Sequence, residues 1–462
     1  MAEAQAGTEQ AAPTADGGRG GGLAGYFQLA EHGTTVGTEI RAGITTFLVM
    51  AYILFVNPSI IAQPLGLSPV AVAAGTALVA GVMTILMGVV GRYPLALAAG
   101  LGINAIVAFT LTAQGLDARG AMGVIVWEGV IITLLVVLGL REAIMNAVPL
   151  ALKRAIGVGI GLFILFIGFV NGGLIVAPQG GTPLVGLAFP TTIGQYVFIL
   201  GLAITFALWL LKVRGALIIS IIVTTVVALA LGVTSVPQDL TAAPNFSTLG
   251  QFDLVEPFTK LGLVTAVLTI FAIMLSDFFD TMGTVTGIAE QGGLSRPDGS
   301  VPGIGRVLLI DSIAAIMGGA AGVSSNTTYI ESASGVAEGG RTGLTAVVTG
   351  ILFLLAIALA PIAGIVPAQA TAPALVLVGY LMFTIASDIK LDDVEDGLPA
   401  LLTMILMPLT YDITVGIGAG FIAWVFIKLM KGKARDVHWL MYAVTIAFVI
   451  YFLKDWIQAI VG

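Results

Sequence analysis

The chain contains no cysteine and only two histidines in 462 residues. That excludes disulfides and thiolate metal sites, and His32 and His438 flank apolar runs rather than lying inside them. Charge is scarce too, at 10% of residues, where a soluble domain carries about 25%. The net charge of -7 is spread over the N-terminal stretch and the loops, with no basic patch to suggest a nucleic-acid partner. No stretch resembles a cofactor or metal motif, so neither is expected. What remains is apolar: 58% of residues are hydrophobic and the mean hydropathy is +1.05. Runs of the length needed to cross a bilayer as helix recur from Gly43 almost to Gly462, leaving no room for a large soluble domain.

The first 38 residues are different. They begin MAEAQAGTEQAAPTADGGRGGG, small, polar and glycine-rich, without the basic start and apolar core of a signal peptide, and are expected to form a disordered cytoplasmic tail. Spans are predicted near 43–61, 69–91, 98–113, 120–140, 155–176, 192–211 and 215–233. A loop over 234–260 with Pro237, Pro244 and Pro257 follows. A second set is predicted near 261–290, 305–319, 326–337, 342–361, 372–386, 397–408 and 411–430. With the N-terminus inside, Arg41, Arg92, Arg141, Lys153, Arg154, Lys212, Arg214, Arg296, Arg306, Arg341, Lys390, Lys428, Lys431, Lys433 and Arg435 fall in the cytoplasm, whereas Arg119 and Lys260 fall outside. Residues 431–462 form an extra apolar segment that either spans or lies at the interface.

The expected fold is therefore an all-α polytopic membrane protein of about 14 transmembrane segments, arranged as a seven-plus-seven inverted repeat over 39–233 and 261–430. An odd number of spans per half gives the halves opposite topology, the plan of many secondary transporters. AAGLGINA (Ala98 to Ala105) and AAGVSSNT (Ala320 to Thr327) share Ala-Ala-Gly-x-x-x-Asn at corresponding positions. Both predicted spans 3 and 10 are too short and too glycine-rich for full crossings. They read as half-helices preceded by short extended stretches, and such paired interruptions mark a binding site. Gly322, Ser324 and Ser325 suit the extended entry, and Asn326, Thr327 and Thr328 resemble N-cap chemistry. Small residues that only pack helices are the plainer reading for Ser334 and Gly335.

Acidic residues inside spans are costly and so are functional candidates. Here they are Glu128, Asp277, Asp280, Asp311, Glu331 and Asp412, with no basic residue inside any span to neutralise them. Each must be protonated, hydrogen-bonded or wet, which favours proton-linked chemistry. A cap near a helix end is favoured over function for Asp311 and Asp412. For Glu128 structure and function weigh evenly, while Asp280 and Glu331 lie beside the predicted pocket and favour function. Asp277 and Asp280, three apart, share a helix face.

Four stretches, EIRAGITTFLVMAYILFVNP (Glu39 to Pro58), GLGINA (Gly100 to Ala105), DFFDTMGTVTGIAEQGG (Asp277 to Gly293) and SSNTTYIESASGVAEGGRTGLTAVVTGILF (Ser324 to Phe353), carry a resemblance over nearly all of residues 31–430. They resemble the azaguanine-type hypoxanthine/guanine/adenine permease branch of the nucleobase/ascorbate transporter family. The resemblance implies a core domain from spans 1–4 and 8–11 and a gate domain from spans 5–7 and 12–14. It further implies proton-coupled purine uptake across the cell (plasma) membrane by elevator-like alternating access, with a homodimer formed through the gate. The substrate-binding carboxylates fall on Asp280 and Glu331, the latter flanked by Tyr329, Ile330 and Ser332. Thr284 stands where uracil carriers have histidine, a departure that fits a purine branch. Asn104 and Asn326 complete the expected set, and Asp280 is the expected proton carrier, with sodium left open as coupling ion.

A purine suits these residues, since a carboxylate accepts two N–H donors side by side and Phe278, Phe279, Tyr52 or Tyr329 can cover its faces. Two other functions compete. A sulfate-type anion carrier of the same fold would meet two repelling carboxylates. An intramembrane aspartyl protease would match Tyr411-Asp412 but lacks the companion Gly-x-Gly-Asp, so no enzyme is expected.

Overall fold

The computed structural model describes residues 22–139, 147–178, 184–236, 243–296 and 301–453. Arg141, Pro237, the first 21 residues and the segment from 454 onward lie outside them. Of the expected tail, residues 22–38 are structured: α1 (Leu23–Tyr26) precedes α2, which begins at Val36, well before the predicted start at 43. Phe27 and Leu29 pack on Leu344, so two apolar side chains in a polar stretch are enough to dock it.

The remaining elements run as follows. α2 (Val36–Met50) and α3 (Ile53–Ile61) make one crossing, and α4 (Pro69–Leu86) ends in a π turn to Gly91. After β1 (Leu97–Ala99) come α5 (Leu101–Ala105), extended by a π turn to Leu111, and α6 (Ala118–Val137). α7 (Leu150–Asn171) leads through the small hairpin β2 (Ile175–Val176) and β3 (Gly186–Leu187) to α8 (Ile193–Leu210) and α9 (Ala216–Ala230). The second half holds α10 (Glu256–Leu261), α11 (Leu263–Gln291), α12 (Ile304–Ala320), β4 (Asn326–Thr328) and α13 (Ser332–Ala337). It closes with α14 (Gly343–Ala356), α15 (Ala368–Phe383), α16 (Val394–Thr410), α17 (Ile413–Met430) and α18 (Trp439–Phe452). Nine helices among the described residues are long and apolar enough to cross a membrane. α18 has 14 residues, about 21 Å at 1.5 Å per residue, short of the roughly 30 Å hydrocarbon core.

Helices pack in two groups. α2, α3, α4, α6, α11, α12 and α14 surround the β1–β4 ribbon, and α7, α8, α9, α15, α16 and α17 pack on one another. Close backbone approach replaces large side chains where helices cross, as in membrane interiors generally. A Cβ on Gly343 would lie 1.9 Å from the carbonyl oxygen of Gly88, so only glycine fits.

One polar clamp joins the halves. Glu39, in the first turn of α2 and fully buried, accepts hydrogen bonds at the start of α14. Its donors are the backbone N–H groups of Arg341 (2.9 Å), Thr342 (3.3 Å) and Thr345 (3.1 Å) and the hydroxyls of Thr342 (2.9 Å) and Thr345 (2.6 Å). These are the donors that a helix start leaves without partners, and a carboxylate also suits the positive end of the dipole. Replacing Glu39 by Ala is expected to destabilise the protein by about 3 kcal/mol or more. Glu39→Gln, which keeps one acceptor, should recover part of the loss. Thermal unfolding in detergent measures both, and an unchanged midpoint for the Ala variant refutes the clamp.

Candidate functional site

The site is built on an antiparallel ribbon. Leu97 pairs with Thr328, Ala98 with Thr327 and Ala99 with Asn326. Gly100 N–H to the Ser325 carbonyl (2.8 Å) and Tyr329 N–H to the Ala96 carbonyl (2.9 Å) extend it at both ends. Non-helical backbone at membrane depth has to find its partners in protein, and here each extended stretch supplies them to the other. Half-helices α5 and α13 then leave the ribbon.

Three details correct the sequence reading. Asn326, Thr327 and Thr328 form a strand rather than a cap, and α13 starts only at Ser332 with Glu331 in the N-cap position. β-branched threonines suit a pleated ribbon better than a helix start. Gly322 and Ser324 are not extended but left-handed, with φ of 72° and 74°, because the chain turns sharply off the end of α12. The shared Ala-Ala-Gly-x-x-x-Asn motif also does not superpose: Ala98 is in β1 but Ala320 ends α12, and Asn104 is helical while Asn326 is in β4. The symmetric partners are Leu97–Ala99 and Asn326–Thr328.

Asp280 and Glu331 come together beside this ribbon. Asp280 is exposed although it lies midway along the 29-residue α11, and it sits within electrostatic reach of Glu331 and Asp311. Gly283, Gly287 and Glu290 continue the exposed face, with open space where Cβ atoms on the two glycines would stand. A carboxyl in contact with lipid tails at that depth is costly, so such a group is expected to face protein or a water-filled cavity. Beside it, the Lys153 ammonium of α7 stands 5.4 Å from the centre of the Phe279 ring. Glu331 is half-buried and accepts a 2.6 Å hydrogen bond from the Tyr52 hydroxyl. Tyr329 is buried and its hydroxyl donates to the Ala99 carbonyl. Ile330 is 56% exposed. Ser332 Oγ accepts from Ala96 N–H at 2.9 Å, tying α13 to the ribbon. Thr284 is buried one turn after Asp280. Asn104 and Asn326 are fully buried, and neither side-chain amide closes a hydrogen bond among the described residues.

Asp277 does not share the exposed face with Asp280. It is 1% exposed and turns toward Glu128. Asp311 is no cap. It lies inside α12, where Oδ2 accepts from the Thr281 hydroxyl (2.7 Å) and Oδ1 from Thr328 N–H (2.9 Å). Thr281 also meets Thr327 hydroxyl to hydroxyl at 2.8 Å, so one buried network braces the ribbon. Asp412 is the cap that the sequence favoured, accepting from Thr414 N–H at 2.8 Å at the start of α17. Sequence reasoning missed the Tyr52–Glu331 bond and the Thr281 bridge. A lone tyrosine inside FLVMAYILFVNP and the threonine directly after Asp280 were the available signals.

With this geometry in view, the relatives become informative. The family model described as "Permease family" (Xan_ur_permease) matches residues 37–452. The chain belongs to this permease family. Permeases are transporters and not enzymes. The guanine/hypoxanthine permease PbuG of Bacillus subtilis is 40% identical over 439 residues, 93% of this chain and 99% of the relative. The adenine permease AdeP of Escherichia coli is 40% identical over 433 residues, 93% of this chain and 96% of the relative. Among solved structures, the transmembrane domain of the cyanobacterial bicarbonate transporter BicA matches with a TM-score of 0.64 at 14% identity, covering 82% of this chain and 97% of that one. SLC26A9 matches with 0.60 at 12% identity, covering 85% and 65%. These two show a shared fold.

The network makes a paired forecast. Thr281→Val removes the hydroxyl that bridges Asp311 and Thr327 and is expected to cost about 2 kcal/mol. Thr284→Val removes a hydroxyl without a hydrogen-bond partner among the described residues and should stay within about 0.5 kcal/mol of wild type. Thermal unfolding of the two variants side by side checks the difference.

Proposed function

We propose that this permease takes up purine nucleobases, hypoxanthine, guanine or adenine, by proton symport. The observation that carries this reading is that Asp280, exposed on α11, lies within electrostatic reach of Glu331 at the start of half-helix α13. A purine edge presents N–H donors side by side, and a carboxylate accepts two of them in a charge-assisted pair. The names of the 40%-identical relatives support the same substrate class. A bicarbonate- or sulfate-like anion is disfavoured despite the shared fold, because the two neighbouring carboxyls would repel it.

In this reading the chain crosses the plasma membrane fourteen times as two inverted sets of seven, with the N-terminus in the cytoplasm. Spans 1–4 and 8–11 form the core and spans 5–7 and 12–14 the gate, through which a homodimer forms. The core moves against the gate with the ribbon as its rigid centre. Glu331, Asp280, Thr284, Tyr329, Ile330, Ser332, Asn104 and Asn326 make up the site. The two asparagine amides, buried without partners, are poised for the ring nitrogens and carbonyl of a base. Tyr329 contributes shape, since its hydroxyl is already engaged, and Tyr52 orients Glu331.

In proteoliposomes, labelled purine is expected to accumulate under an inward proton gradient and to cease when a protonophore is added. Accumulation that ignores the gradient and follows external sodium overturns the proton half of the reading.

The two acids divide the work. Glu331 holds the N–H edge, so Glu331→Gln should weaken purine binding by about 1 to 3 kcal/mol, roughly 5- to 150-fold in Kd. Asp280 carries the coupling proton, so Asp280→Asn should retain binding and counterflow but lose gradient-driven accumulation. Binding isotherms and uptake on both variants decide it, and normal accumulation by Asp280→Asn refutes the division.

A further inference from the structure

Glu128 is fully buried midway along α6, and no step above employs it. Its carboxyl faces Asp277 of α11 and the hydroxyl of Ser325, and Asp277 in turn faces Thr327. Glu128, Asp277, Ser325 and Thr327 are each no more than 1% exposed. None of the four carboxyl oxygens, nor Ser325 Oγ, closes a well-formed hydrogen bond among the described residues. The other ionisable group facing the pair is Asp311 of α12, held by Thr281 and by Thr328 N–H. Asp280 is exposed on α11, and the remaining charges on the adjoining elements, Arg119 of α6, Glu256 and Lys260 of α10, Glu290 of α11 and Arg306 of α12, sit near helix ends.

Two adjacent carboxyls in a low-dielectric interior cannot both be ionised without a cation beside them. Among the described residues no lysine, arginine or histidine stands beside the pair. A single proton placed between them resolves the conflict, converting repulsion into an O–H···O⁻ hydrogen bond of the strong charge-assisted class. The Ser325 hydroxyl, directed at Glu128 and otherwise unpartnered, then donates to an oxygen that the shared proton leaves free.

We propose that Glu128 and Asp277 form a proton-binding pair behind the substrate site, holding one exchangeable proton in addition to that of Asp280. The pair adjoins Thr327, and Thr327 is joined through Thr281 to Asp311 and through the strand to Glu331. Removing the proton places two like charges against the back of β4, so the protonation state of the pair is transmitted to the residue that meets the substrate. This coupling role rests on the proton-symport reading; proton binding by the pair does not.

The test needs neither purine nor a gradient. Infrared difference spectra of the reconstituted full chain, recorded as pH is stepped, report the carbonyl stretch of a protonated carboxylic acid, which ionised carboxylates do not give. Wild type is expected to show a band that is lost in both Glu128→Gln and Asp277→Asn and kept in Asp280→Asn. Should Glu128→Gln fail to fold, Glu128→Asp keeps the acid but alters its hydrogen bond and should shift the band. A wild-type spectrum without the band, or a band that none of these changes at 128 or 277 moves, overturns the pair. Loss of proton-driven uptake alone would instead strike the transport reading and leave the pair standing.

Discussion

Everything in this structure depends on six residues of backbone that are not helical at membrane depth. Peptide groups in hydrocarbon cost several kcal/mol each when unpaired, and water is not there to help. Leu97–Ala99 and Asn326–Thr328 satisfy one another, and their pairing fixes where α5 and α13 begin. The surrounding helices serve this ribbon: α12 supplies Asp311 to a strand N–H, and α11 supplies Thr281 to a strand side chain. A site on such a platform is rigid because moving one strand would expose the other. That rigidity permits an acid such as Glu331 to be placed at a defined height in the membrane.

Polar chemistry divides into two layers on either side of the ribbon. In the front layer Asp280 is exposed and Glu331 half-buried. The back layer, Glu128, Asp277 and Asp311, is buried. Asp277 and Asp280 are three residues apart, and 60° of helix rotation is enough to put one behind the ribbon and one on the exposed face. The exposed glycines at 283 and 287 keep the front open where a larger residue on the same face would narrow it.

Much of this was legible in the sequence, for particular reasons. Long apolar runs marked the nine helices among the described residues that are long and apolar enough to cross, and the polar run at 324–332 stood out because hydroxyls and a carboxylate are costly there. Helix starts read from caps were less reliable: Asn326 to Thr328 looked like a cap, but the partner strand that claims them lies 229 residues earlier at Leu97–Ala99. Such pairing leaves no local trace. Asp311 failed for a similar reason, since its partners Thr281 and Thr328 come from other elements, whereas Asp412 was read correctly because its partner is two residues away. The Ala-Ala-Gly-x-x-x-Asn match pointed to the right two places through residues that are not equivalent, in a chain with 60 glycines.

The Glu39 clamp bears on how the chain is made. Its donors at Arg341, Thr342 and Thr345 lie 302 to 306 residues downstream. At ribosomal speeds of about 5 to 20 residues per second, they emerge roughly 15 to 60 s after Glu39 does. Throughout that interval the nascent first crossing carries an acid whose final partners do not yet exist. It must be parked at the lipid–water boundary or sheltered by the insertion machinery. This crossing thus enters the bilayer long before its partners exist and settles only after they arrive, which makes biogenesis, more than the finished protein, the stage at which lesions at position 39 would be felt.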